Sequence, residues 1–260
     1  WSKPSNVYIP TGGNKITLLK PDGASCTTAT QCLSGICTGS ICVPPPCAYQ
    51  TSVVYSSVTY PLVTIGTQCW FSQNLNVGTM LASAATVPSN NSLIEKWCYS
   101  NSSGNCTTYG GLYTWAEANQ LATTCNTTSC TPSTPSQGIC PSGWHIPTDT
   151  EIKTLESYLG MCAGATLDCV DYSAGGYRGV AATVGTKLKS GGSSGFNFLL
   201  AGYRYTDNYF AAQGSNGFLW SASPTSATDA WSRYVDLSNA GVNRFSTSKA
   251  RGFSVRCLKD

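Results

Sequence analysis

Fourteen cysteines against a single histidine, His145, constrain this 260-residue chain more than any other feature. Zinc sites draw their thiolates from close pairs such as Cys-x-x-Cys, commonly with histidine. No Cys-x-x-Cys occurs. Structural disulfides are the better reading, and they place the protein in an oxidising compartment. Every cysteine is then a disulfide candidate: Cys26, Cys32, Cys37, Cys42, Cys47, Cys69, Cys98, Cys106, Cys125, Cys130, Cys140, Cys162, Cys169 and Cys257.

Charge is sparse. Asp, Glu, Lys and Arg make up 10% of the chain and the net charge is +3, against a usual charged share of roughly 25%. Nucleic-acid binding needs clustered Lys and Arg, and no basic run exists. No stretch approaches the roughly 18 apolar residues that span a bilayer. No charged region followed by an apolar one opens the chain at Trp1, so any signal peptide is expected to be already removed or outside this numbering. Ser, Thr, Gly and Asn replace charge on the surface, which suits dense assembly or glycosylation. Asn90, Asn101, Asn105 and Asn126 lie in Asn-x-Ser/Thr sequons, a pattern that also arises by chance in so Ser/Thr-rich a chain.

Three segments differ in texture. Residues 1–25 read as an extended arm with two strand-like runs, VYIP (7–10) and KITLLK (15–20), around Gly12-Gly13. Tyr8, Ile9, Ile16, Leu18 and Leu19 can form a hairpin, fold back on their own domain, or complete a neighbour's sheet. Residues 26–47 carry five cysteines in 22 positions. So few apolar residues make no core, so crosslinks must replace one. Four cysteines allow three pairings; an interleaved one, Cys26–Cys37 with Cys32–Cys42, is expected. Pro44-Pro45-Pro46 then acts as a stiff spacer.

From residue 48 to 260 the pattern is α+β. TSVVYSSVTYPLVTIG (51–66) reads as strand. Thr114-Trp115-Ala116-Glu117 and Thr148-Asp149-Thr150-Glu151 are capping boxes that open two helices. The second ends on Gly160 and puts Ile152, Leu155 and Leu159 on one face. Short strands and Gly-rich turns follow, to FSVRCLKD.

IGTQCWFSQNLNVGT (65–79), YGGLYTWAEA (109–118), CPSGWHIPTDTE (140–151), KLKSGGSSGFNFLLAGYR (187–204), FLWSASP (218–224) and GFSVRCLKD (252–260) occur in that order. Together they resemble the Fibrobacter succinogenes major paralogous domain family, from about Tyr55 to Asp260. The resemblance implies a secreted or surface protein of a bacterium. A more distant similarity runs to the C-type-lectin-like superfold, formylglycine-generating enzymes included. It implies two helices and a curled antiparallel sheet under long irregular loops, after a disulfide-rich module and an extended arm. Because chain ends usually meet in such folds, it also implies a crosslink from Cys257 to the helical region, with Cys140 one candidate partner.

The residues do not support chemistry. Formylglycine generation needs a pair of copper-binding thiols late in the domain, and none lies between Cys169 and Cys257. A serine triad needs a histidine base, and His145 sits just ahead of a helix cap, where anchoring the turn is the expected role. Asp168 and Asp171 offer too few oxygens for Ca²⁺; a surface loop closed by Cys162 and Cys169 is the simpler expectation. No cofactor is expected.

GYRYTDNYFAAQGSNGFLWSASP (202–224) is the aromatic-rich stretch. Phe218, Leu219 and Trp220 are expected in the sheet core. Tyr203, Tyr205, Tyr209 and Phe210 are expected in a loop or edge, as rim packing or as a surface that stacks on sugars or seals a protein interface. The expected function is a non-catalytic extracellular surface or appendage (filament) subunit, assembling with copies of itself through the arm and aromatic surfaces. The alternative is a carbohydrate- or surface-binding adhesin module.

Overall fold

The computed structural model describes residues 8–9, 17–89, 92–162 and 176–260. Ile16, Asn90, Asp168, Cys169 and Asp171 lie outside the described residues. Two compact units divide at Thr51/Ser52.

In the first unit, β1 (Tyr8–Ile9) pairs antiparallel with β2 (Thr17–Leu18), so the two arm runs meet each other in a hairpin. Lys20 then pairs with Cys32, its amide donating to the Gln31 carbonyl at 2.7 Å. A second small ladder joins β3 (Cys37–Thr38) to β4 (Ile41–Cys42). The interleaved bridges Cys26–Cys37 and Cys32–Cys42 are both present. Cys26, Cys32 and Cys42 are themselves the buried cluster of this module, as expected where sulfur stands in for a core.

In the second unit the 51–66 run forms β5 (Ser52–Tyr55) and β6 (Val58–Ile65). They join β7 (Gln68–Phe71), β10 (Trp144–His145) and β17 (Leu258–Lys259) in a five-stranded sheet of order β10-β17-β7-β6-β5. A short parallel pair, β8 (Thr79–Met80) with β9 (Glu95–Lys96), stands apart. A six-stranded sheet holds β11 (Gly176–Arg178), β12 (Ala201–Arg204), β13 (Phe210–Gln213), β14 (Asn216–Pro224), β15 (Asp229–Asp236) and β16 (Val242–Ser248) in the order β11-β16-β15-β14-β12-β13. Its pairings are antiparallel except for β12 with β14.

The described residues hold the α-helices α1 (Ser103–Tyr109), α2 (Trp115–Ala118), α3 (Asp149–Tyr158) and α4 (Val184–Leu188). The Thr148/Glu151 capping box is complete and opens α3. Ile152, Leu155 and Leu159 are buried on the predicted face, against Ile65, Trp70, Val184, Leu188, Phe196, Phe198, Leu219, Val235, Val242 and Leu258. That core joins both sheets and two helices.

The first box behaves differently. Thr114 Oγ1 accepts from the Glu117 amide, but the Glu117 carboxylate accepts from the Glu95 amide at 2.9 Å instead of returning to its own cap. The helix stops after one turn, and Gln120 takes a φ of 52°. ANQLA therefore does not extend the helix as its sequence suggests: Gln120 in the left-handed region turns the chain, and the Leu121 amide closes on the Ala116 carbonyl at 2.9 Å.

Cys140–Cys257 is formed and closes a span of 117 residues. Cys98–Cys106 and Cys125–Cys130 are local staples. Cys47, Cys69 and Cys162 are disulfide-bonded as well.

Glu156, Asp149 and three arginines form a buried ion cluster that the sequence did not announce, with Lys153 at its edge, 3.2 Å from Asp149 Oδ2. Glu156, fully buried, accepts from Arg178 Nη2 at 2.8 Å and from Arg233 Nε at 2.6 Å. Asp149 takes Arg233 Nη1 and Arg244 Nη2, each at 2.8 Å. Burial alone raises a carboxyl pKa; here the Arg244 and Arg233 guanidiniums outweigh it and hold Asp149 well below the usual carboxylate range. The cluster pins α3 to β11, β15 and β16. Buried charges persist only when partnered in this way.

Candidate functional site

Strand alternation sorts the six-stranded sheet into two faces. Leu219, Val235 and Val242 point into the core, so Phe218, Tyr234 and Asn243 point the other way. Register then lines up residues across the sheet: Phe218 lies opposite Tyr234, Tyr234 opposite Asn243, and Asn243 opposite Tyr177.

The rings follow that register. Tyr177 meets Tyr234 edge-on at 5.5 Å, Tyr234 meets Phe218 at 5.2 Å, and Phe218 meets Tyr203 at 4.8 Å. Tyr203 continues to Tyr205 at 5.9 Å, and Tyr205 stacks on Tyr209 at 5.1 Å with ring planes 17° apart. Six aromatic side chains thus make one unbroken row. Phe218 is its nearly covered floor at 8% exposure, while Tyr177 and Tyr209 are 36% and 47% exposed at its two ends. Phe245 buttresses Tyr234 at 5.3 Å, and Phe253 stacks beneath Phe218 at 4.9 Å.

The Tyr205–Tyr209 stack is held rigidly for a physical reason. The turn closes with the Tyr205 amide on the Tyr209 carbonyl at 2.8 Å, and Asn208 adopts a φ of 70°, a left-handed conformation that Asn tolerates. Arg204, buried beneath, donates from Nη2 to Asn208 Oδ1 and to the Ala84 carbonyl, and lies over the Trp97 ring at 4.1 Å. Arg251 lies above, 4.3 Å from the Tyr205 centroid and 5.9 Å from Tyr203. Its Nε has no hydrogen-bond partner among the described residues. Burial and the Tyr209 hydroxyl raise the Tyr203 phenol, and burial with the Tyr234 hydroxyl raises Tyr177, so both present O–H groups at neutral pH.

Of the four aromatic residues expected at this surface, Tyr203, Tyr205 and Tyr209 belong to it. Phe210 does not. It pairs across from Arg204, on the opposite face, and packs on Tyr99 at 5.3 Å in the cluster of Leu81, Trp97 and Leu112. One residue past Tyr209 the side chain changes face, as a strand requires. Tyr177, Tyr234 and Arg251 were missed. YRG, WSRYVD and KARGF carry no local signal beyond alternation, and only the register makes them neighbours.

Phe218, Leu219 and Trp220 are buried as expected, with Trp220 Nε1 donating to the Tyr113 carbonyl at 2.9 Å. His145 anchors its turn: Nδ1 lies 2.6 Å from Asp260 Oδ1 and Nε2 3.0 Å from Glu151 Oε1. Both ring nitrogens are committed. Of the sequons, Asn101 is exposed, Asn105 donates to the Tyr99 carbonyl, and Asn126 Oδ1 accepts from the Ala116 amide. Leu19 is half-buried beside the module; Tyr8, Ile9 and Leu18 lie in the hairpin ladder. A separate open hollow of about 430 Å³, lined by Ser89, Ser92, Leu93, Glu117 and Gln120, holds one carboxylate, already bonded to the Glu95 amide.

The model of the Fibrobacter succinogenes major domain matches residues 63–259. The chain belongs to this family. Its family domain therefore contains the ion cluster, the Cys140–Cys257 bridge and the whole tyrosine row, while the cysteine-rich module precedes it. No curated protein and no solved structure matches the chain. Among the described residues, no helix is long and apolar enough to cross a membrane.

Proposed function

We propose that this chain is a non-catalytic subunit of a bacterial surface or appendage, built on a C-type-lectin-like domain, that acts by contact. The observation that carries this reading is the tyrosine row. Aromatic side chains gain most by being covered, and a row that leaves Tyr177 and Tyr209 exposed at its ends and Tyr203, Tyr205 and Tyr234 half-buried between them is the kind of exception that marks a binding surface. Several features support the setting. The disulfides fit an oxidising environment outside the cytosol. The strongest buried charges, Asp149 and Glu156, are spent on arginines that hold the fold. The N-terminal hairpin offers a second contact element for copies of the chain.

Protease shaving of intact producing cells, followed by non-reducing mass spectrometry, tests this. Peptides of the chain should appear in the shaved fraction with Cys140 joined to Cys257. Recovery only from the cytoplasmic fraction, with alkylatable thiols, would reject it. Negative-stain microscopy of the native surface material then reads whether the subunit repeats along a fibre.

A further inference from the structure

We infer that the tyrosine row is a binding track for an uncharged, extended β-linked polysaccharide, laid across the strands. This rests on the contact reading above and names the ligand class of the same site.

Geometry comes first. From β11 to β12 the row crosses four strand spacings, roughly 19 Å, and the Tyr205–Tyr209 turn prolongs it. Successive ring centroids along the row lie 4.8–5.9 Å apart, with Tyr177 reaching over Asn243 of β16 to Tyr234, a spacing comparable to the advance of one pyranose along an extended β-linked chain. Such a chain shows flat C–H faces that pack on aromatic rings and hydroxyls at its edges. The row supplies both partners: phenol rings, with the hydroxyls of Tyr177 and Tyr203 kept protonated, the Asn243 amide on the Tyr234 hydroxyl at 3.2 Å, and the Arg251 guanidinium over Tyr205.

Charge then selects the ligand. Among the described residues, Arg204 and Arg251 on the one hand and Asp207 and Asp236 on the other bring both signs to the row, and they do not sum to a patch of one sign. Asp236 is already engaged by Asn216 Nδ2 at 3.1 Å and by Ser238. An acidic or basic polymer finds no complementary field here, whereas a neutral one loses little on desolvation. A second copy of the chain fits less well. Stable protein interfaces bury about 800 Å² per partner around a broad apolar centre, and this row, widened only by Phe245 beside Tyr234, is bordered on its own face by Asn216, Asp236 and Asn243.

Affinity electrophoresis of the intact chain through gels holding hydroxyethylcellulose, mixed-linkage β-glucan, xylan or polygalacturonate tests the inference. The wild-type protein should be retarded by the neutral β-linked polymers and not by polygalacturonate. Tyr205→Ala and Tyr177→Ala, at opposite ends, should each weaken retardation about three- to tenfold, and Tyr205→Phe should retain most of it. Tyr177→Ala should leave the affinity for a short oligosaccharide held at the Tyr205 end unchanged, a readout that a folding defect would not give. Near-ultraviolet circular dichroism checks each fold; should an alanine variant unfold, glucan-induced shifts of tyrosine ring resonances in the wild-type protein take its place. No retardation by any neutral polymer, equal retardation by polygalacturonate, or tyrosine-dependent dimerisation without glucan binding would each overturn the assignment. A surface-exposed chain that ignores glucans defeats this inference alone. A glucan-binding chain confined to the cytoplasm defeats the surface reading alone.

Discussion

Glu156 and Arg233 meet at 2.6 Å in a place water does not reach: Glu156 is fully buried and Arg233 is 1% exposed. The contact joins the third turn of α3 to the centre of the six-stranded sheet. Glu156→Gln removes the charge but not the shape, leaving Arg178 and Arg233 short of a partner. Removing one member of a buried pair costs about 3–5 kcal/mol. Urea unfolding should show that loss, while Glu151→Gln at the half-exposed end of the same helix should cost far less.

His145 gives a pH signature. Burial lowers a histidine pKa, but the Glu151 and Asp260 carboxylates outweigh it and raise His145 above 6.5. Its contribution to stability is therefore complete below 6.5 and is lost as pH rises through the higher folded value. Glu151 moves oppositely: burial raises it, yet His145 and the Thr148 cap hold it below 4.5, so its contribution is complete above 4.5 and is lost on acidification. The latch is strongest between these two values. Melting temperature against pH should show the gap between wild type and His145→Gln narrowing as pH rises above 6.5; a constant gap would refute the latch.

The Cys140–Cys257 bridge closes 117 residues, and Cys125–Cys130 closes five. In the chain-entropy account the longer loop restrains the unfolded chain more. Replacing both Cys140 and Cys257 by serine should cost about 2–5 kcal/mol, and the same change at Cys125 and Cys130 distinctly less. Denaturant midpoints of the two variants measure the difference.

Gly217 is where β12 and β14 run side by side. A Cβ there would lie 2.1 Å from the Leu199 carbonyl oxygen, a backbone atom with no room to move. Gly217→Ala should split this parallel contact, destabilise the domain by about 1–3 kcal/mol, and disturb the Tyr203–Phe218 ring pair. Fluorescence and a thermal melt report both effects.

Some of this was legible along the chain because the cause was local. Thr148 and Glu151 are three residues apart, so their capping box could be read and was found intact. Cys26, Cys32, Cys37 and Cys42 lie within one short loop-rich segment, and the expected interleaving is the one formed. Thr114 and Glu117 have the same spacing as the second box, yet Glu95 diverts the acid, and no local rule contains Glu95. Phe210 looked equivalent to Tyr209 until strand pairing turned it to the other face.

The sequence by itself determined the crosslinked, weakly charged character of the protein, its family, its α3 helix and its cysteine module. These depend on composition and on residues near one another in the chain. Tertiary structure alone decided the ion cluster and the tyrosine row. Arg178, Arg233 and Arg244, like Tyr177, Tyr203 and Tyr234, come from three different strands. Only hydrogen-bond register sets which of them stand side by side, and that register is fixed by burying the opposite face of the sheet.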